Sequence, residues 1–278
     1  MLMRRKIVSN VFRFGALAIA LIIALFPIYW MLITSFKPMN EIYQRMPTFW
    51  PQEFTFENYR ILFQETTYLR GIGNSLAIAL VVSTFTILVA LPASYAISRL
   101  KFKGKKMASR TILFTYLIPA AVLYIPLFVL MTRLGLTNSR LGLMMIYPTF
   151  TVPYATWILI PYLGSIPVEL EEAATVDGCS RAGAMLRIVF PLAAPGVVTT
   201  FIFSFTQCWG EFLYALVNIS EKNMRTFPLV INSLIWGDLY PWGQIMGGGI
   251  IACLPILIIY MLASNMLVGG LTAGGVKQ

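Results

Sequence analysis

The sequence predicts an all-α membrane protein with six transmembrane helices and a cytoplasmic pair of short coupling helices between the fourth and fifth. Three observations lead there. Of the 278 residues, 58% are apolar and only 12% charged, against about 45–50% and about 25% in a soluble domain. A hydrocarbon core about 30 Å thick needs roughly 20 apolar residues of helix. Six stretches reach that length, at 11–36, 71–98, 111–132, 139–161, 192–219 and 243–268. The excess of 21 Lys and Arg over 11 Asp and Glu fits basic residues held at the cytoplasmic membrane face better than nucleic-acid binding. Residues 1–278 read as a single transmembrane domain set in a lipid bilayer.

The first stretch follows Arg4, Arg5 and Lys6 and contains Arg13. It is too long for the core of a signal peptide and no small-x-small site follows it, so it reads as a retained anchor. Between it and the second stretch, Lys37, Arg45, Arg60 and Arg70 are offset by Glu41, Glu53, Glu57 and Glu65, with Pro38, Pro47 and Pro51 among them. This segment is expected to be an ordered external excursion. The gap after the second stretch carries Arg99, Lys101, Lys103, Lys105, Lys106 and Arg110 with no acid, and it belongs inside. Six spans then place both termini, and the gap between spans four and five with Arg181 and Arg187, in the cytoplasm. Pro92, Pro119, Pro126, Pro148, Pro153 and Pro255 lie in or near the spans, and Gly247–Gly249 early in the sixth. Such residues either kink helices for packing or line a wet path, because lipid cannot satisfy the carbonyls that proline frees.

The gap at 162–191 is the most informative. Pro167 can open a helix, Glu169, Glu171 and Glu172 favour its positive end, and Gly178 can turn left-handed and stop it. Ser180 can cap a second helix running through Met185 and Ile188, which Pro191 is expected to stop before the fifth span. Ala173 and Ala174 are small enough to admit a close partner; the alternative is an ordinary amphipathic loop. Within this gap, Glu172, Ala173 and Ala174, three residues, Gly178, nine residues, then Ile188, Val189, Phe190 and Pro191 resemble the EAA-x3-G-x9-I-x-L-P signature of binding-protein-dependent ABC import permeases. The one departure is Phe190 for Leu. Residues 27–38, Asn74 with Ser75, Tyr95 with Ala96, and 100–104 are similar to the sugar-transporting subfamily. Trp209, Gly210, Glu211 and Phe212 are similar to its Trp-Asn-Glu/Asp-Phe, with Gly210 for Asn. Gly270, Leu271, Thr272, Ala273 and Gly274, running on to Lys277, resemble the tail of the maltose-type G subunit. The chain is identified as a member of the MalG-like carbohydrate permeases of bacterial or archaeal cytoplasmic membranes.

That resemblance implies a second, MalF-like permease subunit, a separate ATPase dimer carrying ATP and Mg, and an extracytoplasmic sugar-binding protein. It also implies that Glu172, Ala173, Ala174, Asp177, Gly178, Ile188 and Pro191 form the element seated on the ATPase. The chain has no G-x-x-x-x-G-K-[ST] phosphate loop of its own, and no cofactor is expected on it. With no His and three separate Cys, a Ser/His/Asp triad, a His-ligated metal and a disulfide framework are all excluded; the resemblance implies a permease subunit without an ATPase site, not an enzyme.

Glu211 is the acidic residue expected well inside a span, the fifth. An intramembrane carboxylate is costly in lipid. Either it lines the translocation pathway with Gln207, Trp209 and Tyr214, or it is a buried tie to the partner permease. Tyr43, Trp50, Tyr59, Trp236, Tyr240 and Trp242 are either interfacial anchors or, as a set, a docking surface for the binding protein. Rival readings are a permease for a polyol or glycerol phosphate, a secondary transporter, which would normally show an inverted repeat and intramembrane ion ligands, and a membrane scaffold. A scaffold would not account for the fixed spacing from Glu172 to Pro191.

Overall fold

The computed structural model describes residues 2–275, with the side chains of the first nine residues, Val11, and most of those beyond Ser264 left aside. Its main helices are α1 (Leu2–Ser35), α2 (Tyr68–Arg99), α3 (Lys105–Leu117), α4 (Ala120–Arg133), α5 (Arg140–Gly164), α6 (Glu169–Val176), α7 (Arg181–Leu192), α8 (Ala194–Trp209), α9 (Leu213–Asn218) and α10 (Trp242–Gly275). Among the described residues four helices, α1, α2, α5 and α10, are long and apolar enough to cross a membrane. The number reaches six when two bent pairs, α3 with α4 and α7 with α8, each count as one span.

Three sequence expectations are refined or corrected here. The third stretch, 111–132, is expected as one span with Pro119 kinking it or lining a wet path, and the kink is sharp enough that α3 and α4 meet at 92°. Pro119 has no N–H to continue the ladder and pushes the residue before it out of the helical region; Ile118 is extended at φ −66°, ψ 123°. The fifth stretch, 192–219, is interrupted at 210–212, so Glu211 sits in a helix break and not inside a helix. Pro191 does not stop the second of the two short helices. The chain winds through it to Leu192 and bends by 71° at Ala193. The turn before it, Met185–Val189, is of the wide π type, with the Phe190 N–H donating to the Met185 carbonyl, and Pro191 stands in the first turn after it, where its missing N–H costs little.

The chain divides into two compact units. The first comprises 1–68 and 231–254. Its segment after α1 is ordered by side chains that satisfy backbone groups. Asn58 Nδ2 donates to the Ser35 and Lys37 carbonyls (3.0 and 2.9 Å), and the Tyr68 hydroxyl donates to the Gly248 carbonyl (2.5 Å). Glu41 is buried and accepts from Thr48 Oγ1 and from the Gln52 N–H. Burial alone would push its carboxyl up, but those bonds, with one from the Glu53 N–H and the nearby Lys37, hold it below the usual carboxylate value. Tyr43 and Tyr240 are joined through the Tyr43 hydroxyl, which donates to the Tyr240 carbonyl (2.7 Å).

The second unit comprises 69–230 and 255–278. Here α2 and α5 are joined by a buried hydrogen bond between the Thr86 and Thr151 hydroxyls (2.7 Å). Below it, Ala90, Leu91 and Tyr95 of α2, Leu159 and Leu163 of α5, and Val189 of α7 form one apolar core. Packing of α8 on α5 requires Gly196, where a Cβ would come within 2.7 Å of the Tyr162 ring.

Candidate functional site: a coupling surface and a cavity

The first region is the helix pair α6–α7. Glu169, Glu171 and Glu172 occupy the first turn of α6, where free N–H groups and the helix dipole favour carboxylates. The helix closes with the Gly178 N–H donating to the Thr175 carbonyl (3.1 Å) and the Cys179 N–H to the Ala174 carbonyl (2.9 Å). This is a Schellman closure, and it needs Gly178 at φ +86°. Ser180 then caps α7, its Oγ accepting from the Gly183 N–H (3.1 Å). Glu172, Ala173, Asp177, Gly178 and Pro191 are exposed, and Ile188 is half-buried. Ala174 instead turns inward and is buried, so only Ala173 of the pair remains open to a partner.

Sequence reasoning missed what holds this surface. Glu171, beside the motif, lies against the end of α2. Arg99 Nε is 2.9 Å from Glu171 Oε1, with the two side chains only 6% and 12% exposed. The Tyr95 hydroxyl donates to Glu171 Oε2 (2.8 Å), and Arg99 Nη2 donates to the Ile166 carbonyl. The Tyr95 ring also meets Phe190 of α7 edge to face, at 6.3 Å. A buried pair of charges is costly unless hydrogen bonds accompany it; here the Nε–Oε1 contact is an ion pair without hydrogen-bond geometry, and the bonds from Tyr95 to Glu171 and from Arg99 to Ile166 fasten the α6–α7 pair to α2.

The second region is a cavity of about 400 Å³ lined from α3, α4, α5, α8 and the break before α9. Glu211 reaches it as the cap of α9: Oε1 accepts from the Tyr214 N–H (2.7 Å), and Oε2 from the Ala215 N–H (3.1 Å) and the Tyr147 hydroxyl (2.8 Å). Gln207, Glu211 and Tyr214 all line the cavity. Trp209 does not. Its indole is 2% exposed and packs against Phe205 and Phe227, because it falls on the opposite face of α8 from Gln207.

The rest of the cavity wall was not picked out from sequence. Tyr154 stacks on Phe203 (3.8 Å) and meets Tyr116 (5.1 Å), while Tyr214 meets Tyr124 (4.4 Å) and Phe150 (5.8 Å). The available signal was the spacing of Phe150 and Tyr154, four residues apart and therefore on one helix face. Gly270, Leu271, Thr272, Ala273 and Gly274 continue the backbone of α10, and Lys277 lies outside the described residues.

Apolar helices in the number of a polytopic membrane protein, a short helix pair with an exposed face and a partly polar cavity at helix breaks are features of a membrane transport permease. Residues 86–272 match the family described as binding-protein-dependent transport system inner membrane component. The chain belongs to that family and is a multi-pass inner-membrane protein. It is 35% identical over 278 residues to the inner membrane ABC transporter permease protein YcjP of Escherichia coli (strain K12), covering 98% of each chain. It is 36% identical over 265 residues to the sulfoquinovosyl glycerol transport system permease protein SmoH of Agrobacterium fabrum, covering 95% of this chain and 93% of that one. Its fold matches the solved structure of a bacterial ABC transporter involved in the import of the acidic polysaccharide alginate, at TM-score 0.75 and 21% identity, over 94% of this chain and 97% of that one.

Proposed function

We propose that this chain is the permease subunit of an ATP-driven importer that passes a carbohydrate, an oligosaccharide or glycoside, from an extracytoplasmic binding protein into the cytoplasm. In this reading it pairs with a second permease subunit, both termini are cytoplasmic, and ATP and Mg are held by a separate ATPase dimer. The α6–α7 pair seats Glu172, Ala173, Asp177 and Gly178 on one ATPase subunit, and ATP-driven closure rocks the spans between inward- and outward-open states. Gln207, Glu211 and Tyr214 border the path. The carbohydrate cargo is supported by the resemblance of residues 27–38, 209–212 and 270–274 to sugar permeases and by what SmoH is named for.

The observation that carries the coupling role is the exposed motif face of α6 held rigidly from behind, by the Gly178 closure and by Arg99 and Tyr95 on Glu171. The test is Gly178→Val in the reconstituted transporter. No atom crowds Gly178, so the substitution acts through its backbone conformation, which a β-branched residue rarely adopts. Vanadate-sensitive uptake and its stimulation of ATP hydrolysis should fall together while the subunits still co-purify. Normal sugar-stimulated hydrolysis would remove this loop as the coupler.

A further inference from the structure

Two apolar spans of the second unit are interrupted, one at Ile118 and Pro119 and the other at 210–212, and both interruptions open onto the same cavity. In lipid, backbone that leaves its helix is tolerated only where protein or water meets the freed N–H and C=O groups. A wet cavity therefore belongs where two spans break side by side. Tyr214 ties the two breaks together: its hydroxyl donates to the Ala120 carbonyl (3.3 Å), and its N–H donates to Glu211 (2.7 Å).

The walls indicate what such a cavity takes. Its volume of about 400 Å³ lies in the range of about 300–1,000 Å³ found for small-molecule sites. Aromatic rings stand in two groups, Tyr116, Tyr154 and Phe203 in one and Tyr124, Phe150 and Tyr214 in the other. Rings present flat apolar surface and, from tyrosine, hydroxyls at the edge. That combination matches a pyranose, which has C–H faces and a rim of hydroxyls. Charge narrows the class further. The described residues lining the cavity include one carboxylate, Glu211, and no Lys or Arg. An acidic sugar would bring its charge beside the Glu211 carboxyl, with no cation among the described lining residues to pair it in surroundings of low dielectric.

We propose that this cavity is a contact site, on this chain, for a neutral carbohydrate, and that it disfavours sugars bearing carboxylate or sulfonate groups. The proposal rests on the carbohydrate-import reading and narrows its substrate class. It sets this chain apart in cargo from the alginate importer whose fold it shares and from SmoH, whose named cargo is a sulfonated glycoside and which supports the carbohydrate class alone.

The test uses the full transporter in lipid nanodiscs without the binding protein. Saturation-transfer NMR is recorded against neutral di- and trisaccharides and against the matching oligouronates. The wild type should transfer to at least one neutral sugar and to no uronate. Tyr154→Ala and Phe203→Ala should each weaken that binding roughly tenfold, the scale of one aromatic contact, while Tyr154→Phe retains it. Gln207→Arg, at an exposed position on the wall, should admit the uronates even if the alanine variants fail to assemble. Neutral-sugar binding untouched by the alanine variants would place the sugar elsewhere and overturn the site. Uronates bound as tightly as their neutral counterparts in the wild type, or still refused by Gln207→Arg, would overturn the charge argument. Uptake by the wild-type transporter of a cargo that is not a carbohydrate would instead sink the import reading beneath it.

Discussion

Replacing Glu211 by Gln keeps the size of the side chain and removes one of its two acceptor oxygens, and the geometry around it turns that into a number. The carboxylate accepts three hydrogen bonds: Tyr214 N–H on Oε1, and Ala215 N–H and the Tyr147 hydroxyl on Oε2. A glutamine oxygen can keep the Tyr214 bond. The amide nitrogen then faces the Ala215 N–H, donor against donor, and only the Tyr147 hydroxyl can reverse and accept. One charge-assisted bond is lost and a helix N-terminal N–H is left without a partner. Charge-assisted bonds contribute about 1.5–3 kcal/mol and an unsatisfied buried group costs about 1–3. Both figures describe the same broken bond, so with one side of Glu211 open to the cavity the cost should be about 1–3 kcal/mol. A melt of the nanodisc-held complex should therefore drop by several °C. Tyr147→Phe removes a single bond and should cost less, whereas Glu211→Ala removes all three and should cost more. A glutamine variant melting with the wild type, or that order reversed, would refute the capping role.

Glu171→Ala leaves Arg99 buried without its partner and should destabilise the α2–α6 contact by about 3–5 kcal/mol, read as faster proteolysis of the 162–191 segment. Gly196→Ala should cost about 1–3 kcal/mol, because its Cβ meets the Tyr162 ring, and a smaller residue at 162 should rescue it. For Glu41 the direction with pH is fixed by its depressed carboxyl. Its contribution to the segment after α1 is fully present above the ordinary value of 4.5 and is lost as pH falls through the lower folded value. Hydrogen exchange of residues 38–56 should rise over that acid range in the wild type and be flat in Glu41→Gln.

How much was legible in the sequence follows from how local each feature is. Gly178 and Ser180 act on neighbours within three residues, so the turn and the α7 cap can be read from residue types alone. The partner of Glu171 cannot. Arg99 looks like one more basic residue of an inside loop, and only the packing of α2 against α6 turns it inward. Averaged hydropathy shows that 111–132 is apolar enough to span and Pro119 marks where it can kink, but the 92° of the bend cannot be read from the proline alone. Trp209 and Gln207 are similarly ambiguous, because a span buried by protein on one side and facing a cavity on another has no single polar face.

The broken third span also bears on how the chain enters the membrane. At 13 and 14 residues, α3 and α4 are each roughly 20 Å long, short of a hydrocarbon layer about 30 Å thick, and α3 carries Lys105, Lys106 and Arg110 in its first half. Neither can settle alone in lipid as it leaves the ribosome. Their shelter comes from segments made later: α3 packs on α5, and α4 on α9. Integration of this region should therefore be a delayed, collective step, completed only after α9 has been synthesised. Truncation before Leu213 should leave α4 accessible to water-soluble reagents and the nascent chain open to quality-control proteolysis.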